Sequence, residues 1–494
     1  MLKIRTGGVA AVVLAAVTCA HAQDVFQVEP TAELGVQDTS VPAGVLGSGL
    51  AIDGDWAVAT TTGIEGGVCF FHKEESGWQL RDFFEFSVSL PGLPSYYATR
   101  TGCAIQGEWA FVGARFGSAN GLVRAFRFID GQWAEFQSID PPVVGGPFGS
   151  GFGYSLDFDG ITLLVGAFQQ PSGQAGGAHF YVFDGTAWTL QQSVTSVAPI
   201  GGGYFGHSVA IRGDVAAIGS NDNGNARGRV DVFRRKGGTW IGETQLLPPD
   251  GSQDDGFGQQ LAIDGDVLVV PQKSGVVRDR GDVGQVWIYD FSSLAWPAPV
   301  FRVESPVSTP DQFGIRIDVH DGWLAVATSP SDLGRPPILS EYRLNRTSVD
   351  RVAELRIPLS SWAENMPQLL DLTFDSGALL ASTTGTGGGV VSIFDRDCNG
   401  DGIVDYGQIL DGTYADEDGN GVPDCCESDC PCESDCSGDL NGDDSVGPPD
   451  LGILLAVWGT DGGKISGADI NEDGTVNAAD LGLLVGAWGD CGCN

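Results

Sequence analysis

Histidine, methionine and basic residues are scarce in this 494-residue chain: five His, two Met and 26 Lys plus Arg stand against 64 Asp plus Glu. The net charge of −38, or −40 once Lys3 and Arg5 leave with a leader, excludes nucleic acid and anionic membrane as partners. HExxH, GxSxG and phosphate-loop motifs are absent, so no metalloprotease, serine-hydrolase or nucleotide-binding signature is present. The four histidines beyond the leader, His72, His179, His207 and His320, fall in no metal or nucleophile motif and read as packed or solvent-facing imidazoles. After the leader no stretch reaches ~18 apolar residues, the length a membrane span needs. Helical periodicity is missing from the whole body of the chain.

What is present begins with an export pattern. Lys3 and Arg5 precede an apolar run from Val9 to Val17 and the small-residue sequence Ala20-His21-Ala22, so residues 1–22 read as a signal peptide and the product as secreted or held at the cell surface. Lipidation at Cys19 would need a small and an aliphatic residue before it, and Thr18 fits that poorly. Ten of the eleven cysteines remain after Cys19 is lost, eight of them between Cys398 and Cys493. In an exported chain this density implies disulfides. Cys436 with Cys491 or Cys493 is the pairing expected for the last unit, while Cys69 and Cys103 are either paired or two buried thiols.

The body repeats. Leu50-Ala-Ile-Asp-Gly-Asp-Trp, Cys103-Ala-Ile-Gln-Gly-Glu-Trp, Val209-Ala-Ile-Arg-Gly-Asp-Val and Leu261-Ala-Ile-Asp-Gly-Asp-Val are versions of one phrase, with weaker versions at Leu156, Ile317 and Leu372. The turn position falls at Gly54, Gly107, Gly160, Gly213, Gly265, Asp321 and Ser376, at spacings of 53, 53, 53, 52, 56 and 55. Each copy holds two apolar strands about a tight turn, a Gly-rich loop, a third strand, and a fourth stretch opening at Trp78, Trp133, Trp188, Trp240 or Trp296. Four short strands per repeat and seven repeats predict a mainly β chain built as a seven-bladed β-propeller. The seventh copy lacks a fourth strand, and Phe26 to Leu34 is an orphan strand ahead of the first, so residues 24–34 are expected to complete the last blade and close the ring.

These repeats resemble the FG-GAP family, the propeller type of integrin alpha-chain heads and of many bacterial exported proteins. The matching residues are Phe152-Gly153, Phe205-Gly206, Phe257-Gly258 and Phe313-Gly314, with Gly113-Ala114 and Gly166-Ala167 after the second strand. Copies two and seven carry Thr99-Arg100 and Gln368-Leu369 instead. The calcium loops of alternating Asp common in that family are not found between residues 45 and 395.

From Asp397 to Asn494 there are 22 Asp plus Glu and a single basic residue, Lys464. Calcium takes six to eight oxygen ligands, and a tight loop supplies them from positions 1, 3, 5, 7, 9 and 12. Asp469, Asn471, Asp473, Thr475, Asn477 and Asp480 occupy those positions, with Gly474 at position 6. Thirty residues earlier, Asp439, Asn441, Asp443, Ser445 and Asp450 repeat the pattern, with Asp444 at the glycine position and Gly447 at position 9, so this copy is expected to bind more weakly. Each loop leads into an apolar helix whose Leu451, Leu454, Leu455 and Trp458, or Leu481, Leu484, Val485 and Trp488, fall on one face. The two faces are expected to pack together.

A duplicated loop and helix with Asp at position 12 resembles type I dockerin over residues 436–494, which implies bound Ca2+ and a cohesin-like protein partner. Cohesin contacts of that family use Ser or Thr at loop positions 10 and 11, where this chain has Pro448-Pro449 and Ala478-Ala479. In residues 397–435, Asp397, Asn399, Asp401 and Asp405, then Asp416, Asp418, Asn420 and Asp424, resemble thrombospondin type 3 repeats; the other reading is a disordered acidic linker. The division expected is therefore 24–396, 397–435 and 436–494.

Three functions fit. The first is an exported calcium-binding, non-catalytic binding or adhesion protein that presents a propeller to a protein or glycan. The second is a component of extracellular polysaccharide breakdown, as a glycosidase, lyase or accessory, whose acid pair at ~5–10 Å no sequence reveals. The third is a structural surface protein held by calcium. Trp56, Trp109 and Trp323, which follow the first turn in three blades, read either as a sugar-binding face or as strand packing.

Overall fold

The computed structural model describes residues 25–28, 30–35, 45–62, 66–74, 77–86, 102–113, 121–142, 151–168, 176–197, 203–222, 228–250, 256–273, 276–277, 281–282, 284–293, 296–306, 312–328, 337–357, 369–375, 377–385, 388–398, 403–416, 422–427, 438, 440–441, 445–460, 468–471, 474–486 and 489–490. The expected signal peptide, the Thr99-Arg100 pair, the expected pairing of Cys436 with Cys491 or Cys493, and the expected loop ligands Asn399, Asp401, Asp418, Asn420, Asp439, Asp443 and Asp473 lie outside these residues. Two compact units divide at Asp395 and Arg396.

The first unit is a seven-bladed β-propeller of antiparallel four-stranded sheets. Blade one spans Val45–Asp53, Trp56–Thr62, Gly67–Glu74 and Gly77–Glu85, and blade two runs from Cys103 to Ile139. Blades three to five start at Phe152, Gly203 and Ala262, and blade six runs from Arg316 to Arg356. In blade seven Leu369–Phe374, Ala378–Gly385 and Gly388–Asp395 are followed by Ala32–Gly35, which pairs antiparallel with the last of them through Ala32 and Ile393. Phe26–Val28 goes elsewhere: it runs parallel to Val349–Arg356 as a fifth strand of blade six, Phe26 beside Ala353. Pro30 explains the break, since it lacks the N–H a continuing ladder needs. Blade five also departs from expectation. Trp296 sits in a turn, and the fourth strand begins only at Phe301.

Hydrophobic cores lie between blades rather than within them. Val58, Phe70 and Phe86 of blade one pack on Ile105, Val112 and Trp133 of blade two, and Leu50, Phe71 and Trp78 meet Leu380, Val391 and Ile393 of blade seven. The Phe-Gly pair is legible in these terms. Phe152, Phe205, Phe257 and Phe313 are wholly buried, and each following glycine takes a left-handed φ. A Cβ on Gly206 would lie 2.3 Å from the Gly177 carbonyl oxygen, and one on Gly166 would lie 2.2 Å from the Gly206 carbonyl oxygen. Neighbouring backbones approach so closely that neither position accepts a side chain. Serine hydroxyls staple the same junctions, Ser155 Oγ to the Gly206 carbonyl at 2.9 Å and Ser208 Oγ to the Gly258 carbonyl at 2.6 Å. At the first blade Leu46-Gly47 takes the role of the Phe-Gly pair, with Gly47 accepting from Ser382 Oγ at 2.6 Å.

At three junctions a carboxylate ties one blade to the next along the axial channel. The Ile211 N–H donates to Asp157 at 2.7 Å, the Phe374 N–H to Asp318 at 3.0 Å and the Leu50 N–H to Asp371 at 2.9 Å. The channel has a volume of about 280 Å³, and its walls include these three acids with His207 and His320. Burial pushes Asp157 up to about 6 and Asp318 up to about 7, against backbone donors that pull both down. A carboxyl raised on folding favours the native state below its unfolded value, and that contribution is lost as pH rises through the folded value. The thermal midpoint of the propeller is therefore expected to be higher at pH 5.5 than at pH 7.5, and Asp318→Asn should flatten the difference. Equal slopes in calorimetric scans of the two chains would contradict this.

His179 is buried with Nδ1 at 2.8 Å from Ser193 Oγ, and burial lowers it to about 4, so the ring is neutral packing material. Cys69 and Cys103 are free thiols. Trp109 and Trp323 are only 6% and 7% exposed beneath Arg127 and Arg343, so those two do not form a sugar-binding face. Trp56 differs and is taken up below.

Candidate functional site

The second unit opens with two short helical turns, Asp405–Asp411 and Asp424–Glu427, and the disulfide Cys398–Cys426 ties the second to the segment ahead of the first. Its two halves repeat a backbone bond: the Asp405 N–H donates to the Arg396 carbonyl and the Asp424 N–H to the Ala415 carbonyl, at 2.8 and 2.9 Å. Asp405 is buried and accepts the Cys398 N–H at 3.1 Å. Asp397 is also buried, and Asp416 is partly so.

Two loop and helix units follow. Helices Pro448–Ala456 and Ala478–Gly486 start at loop position 10, because Pro448-Pro449 is preset for a first helical turn and Asn477 Oδ1 caps the second helix by accepting the Ala479 N–H at 2.8 Å. Ser445–Val446 pairs antiparallel with Gly489–Asp490. Val446, Leu454, Ala468, Val476 and Leu484 form the small core.

The loops share one internal device. Asp480 is wholly buried; its Oδ1 accepts the Asn471 N–H at 3.1 Å and its Oδ2 the Asn477 N–H at 2.7 Å. Asp450, equally buried, accepts from Asn441 at 3.1 Å and from Gly447 at 2.8 Å, and also from Leu440 at 2.8 Å. Position 12 thus clasps positions 3 and 9 in both copies. For Asp480 desolvation is the largest single influence and pushes the pKa up, but donors from Asn477, Asn471 and Ile470 together outweigh it and hold the carboxyl below its ordinary value. In the second loop Asp469 Oδ2 accepts the Gly474 N–H at 2.8 Å, with Gly474 at φ 87°, the left-handed turn expected at position 6. Asn477 Nδ2 lies 2.7 Å from the Thr475 carbonyl oxygen. These oxygens are hard anionic and carbonyl donors, the set Ca2+ takes, and the clasp leaves Asp480 ionised, so the donor chemistry fits that ion. Among the described residues no three His, Cys, Asp or Glu side chains converge, and Asp439, Asp443 and Asp473 are outside them.

The helix faces depart from expectation. Leu454 and Leu484 are buried and Leu451 and Leu481 half-buried, but Leu455 is 51% exposed, Trp458 43% and Val485 54%. Each helix is short and slightly buried, so three of the seven described stripe positions face solvent, and Trp488 lies outside the described residues. Pro448, Pro449, Ala478 and Ala479 are exposed on the same helices.

Comparison with known proteins locates both parts. Residues 240–289 match the FG-GAP repeat, and residues 437–486 match the dockerin type I domain. No curated protein matches. Among solved structures, a chain of the mitotic checkpoint complex shares 14% identity at a TM-score of 0.45, over 79% of this chain and 99% of that one. Saccharomyces cerevisiae Sqt1 shares 11% identity at a TM-score of 0.41, over 76% and 99%. The chain thus joins a seven-bladed β-propeller, one segment of which matches the FG-GAP repeat, to a tail that matches the type I dockerin domain.

Proposed function

We propose that this is an exported, calcium-binding, non-catalytic adhesion protein that presents its propeller to an external ligand and docks through its tail to a cohesin-like protein. The reading divides the mature chain at 24–396, 397–435 and 436–494. The observation that carries it is the paired clasp: two buried carboxylates, Asp450 and Asp480, ordering two loops thirty residues apart in a segment with one basic residue. In the second loop Asp469, Asn471, Asp473, the Thr475 carbonyl, Asn477 and Asp480 would hold the ion. Asp439, Asn441, Asp443, Ser445 and Asp450 would hold a weaker one, because an aspartate stands where the turn favours glycine. Bound Ca2+ supplies charge neutralisation; the loops supply the orientation of the helices. Asp397, Asn399, Asp401 and Asp405, with Asp416, Asp418, Asn420 and Asp424, would act likewise in the linker.

Dockerin domains bind cohesins. Exposed Leu455 and Val485, one per helix, support a partly apolar docking face in place of the usual hydroxyl contacts. The full chain should be captured by an immobilised type I cohesin in calcium and released by chelator, and Leu455→Asp with Val485→Asp should abolish capture while leaving the circular dichroism unchanged. Capture that survives chelator, or that ignores both substitutions, would contradict the docking assignment.

A further inference from the structure

Between blades one and two, the junction built on a first-turn tryptophan is left open, where those at Trp109 and Trp323 are closed. In blade two, Trp109 is closed on every side: Arg127 covers it at 5.1 Å, Phe136 meets it edge-on at 5.0 Å, and Phe183 and Trp188 of the next blade stand at 5.0 and 5.2 Å. Trp56 occupies the same place in blade one, with Phe128 and Trp133 of the next blade at 5.1 and 5.8 Å. Two substitutions within the repeat change its cover. The cross-strand partner is His72, whose tilted ring meets Trp56 at 4.6 Å, instead of arginine, and the bulge residue that corresponds to Phe136 is Arg81, which brings no ring. Arg81 turns back to pair with Glu74 of its own blade. A cavity of about 390 Å³ remains, lined by Trp56, His72, Arg81, Asp82, Phe128 and Gln132 with Gly131, within the ~300–1,000 Å³ of small-molecule sites.

Polar groups at this junction are also under-used. At later junctions the bulge residue caps the next blade's indole: Gln191 Oε1 lies 3.3 Å from Trp240 Nε1, and Glu243 Oε1 lies 2.9 Å from Trp296 Nε1. Arg81 has no acceptor to offer, and the buried Trp133 Nε1 is without a hydrogen-bond partner. Trp188 Nε1 shares that condition, but there the bulge residue is Phe136, packed on Trp109 and Phe183. His72 Nδ1 is likewise buried without a hydrogen bond, with Glu74 Oε1 3.9 Å away. Where Gln137 and Gln192 each clasp both the N–H and the carbonyl of the next tryptophan, Asp82 takes only the Trp133 N–H, at 3.3 Å.

We propose that this cavity binds a neutral saccharide, one sugar ring lying on Trp56 with its hydroxyls shared among Asp82, Gln132, Arg81 and His72. The lining decides the class. An alkylammonium ion would need acceptors only, and a cationic guanidinium in the wall opposes it. Sugar hydroxyls both donate and accept, and this wall offers both, beside an aromatic surface suited to the ring's C–H groups. The proposal rests on the reading of the propeller as a binding module and names the site and the ligand class.

The test is quenching of tryptophan fluorescence in the full chain by cellobiose, xylobiose, laminaribiose and lactose. Saturable binding in the millimolar range is expected for at least one of them, weakened at least about tenfold by Trp56→Ala and by Arg81→Phe. Arg81→Phe installs the residue that closes blade two, so it should fill the cavity without lowering the thermal midpoint. No saturable binding of any of these sugars, or equal binding by wild type and Arg81→Phe, would overturn the proposal. A glycan array bound alike by wild type and Arg81→Phe would overturn the pocket and leave the propeller a binding module, while cohesin capture reports separately on the tail.

Discussion

Deleting residues 26–35 should lower the stability of the propeller by roughly 5 kcal/mol or more and leave it prone to associate through blade seven. The estimate adds the burial of Val28, Ala32 and Leu34 at about 25 cal/mol per Å² to several ladder hydrogen bonds at about 1 kcal/mol each. Ala32 and Leu34 pack on the core shared by blades seven and one, Val28 is buried against blade six, and the Thr31 N–H donates to the Ile393 carbonyl at 2.8 Å. One segment therefore ties three blades. Its loss also bares Gly388–Asp395 as an unpaired edge, the usual template for chain-to-chain pairing. Because the cores lie between blades, opening one junction weakens every other. Urea unfolding of the deleted chain should show a single transition at lower denaturant, and an unchanged midpoint would contradict the latch.

Asp480→Ala should have the second largest effect, confined to the tail. It removes the proposed position-12 ligand and leaves the N–H groups of Asn471 and Asn477 without their acceptor, at about 1–3 kcal/mol for each donor so left. Calcium affinity of the second loop should fall by about 100-fold or more, and the start of helix Ala478–Gly486 should loosen. Asp450→Ala should cost less affinity, since its loop has Gly447 where the second has the Asn477 side chain. Comparing the two variants by calcium-dependent circular dichroism separates these outcomes; equal losses would mean the loops are equivalent after all.

The propeller was legible in the sequence because the turn phrase recurs at almost constant spacing, and the turn geometry explains its constancy. Gly54, Gly107, Gly213 and Gly265 all sit at φ between 54° and 58°, and Asp321 holds the same position at 44°. The Leu46-Gly47 stand-in for the Phe-Gly pair was not legible, because its signal is a backbone approach and not a side-chain type. Phe26 to Leu34 read as one strand because its apolar pattern continues through Pro30; only pairing partners reveal that it serves two blades. The three tryptophans look identical in sequence. Their different exposures follow from residues 16 to 27 positions away, Arg127 and Phe136 against His72 and Arg81, which no local pattern links to them. In the tail, spacing identified the loop positions, but the exposure of Leu455 and Val485 depends on how little core two nine-residue helices share.

If calcium orders the tail through its two clasped loops, isothermal calorimetry of the full chain with CaCl2 should register it. A saturable heat reversed by chelator is predicted, with its tightest component lost in Asp469→Ala with Asp473→Ala. An absence of heat, or the same heat in that double variant, would contradict it.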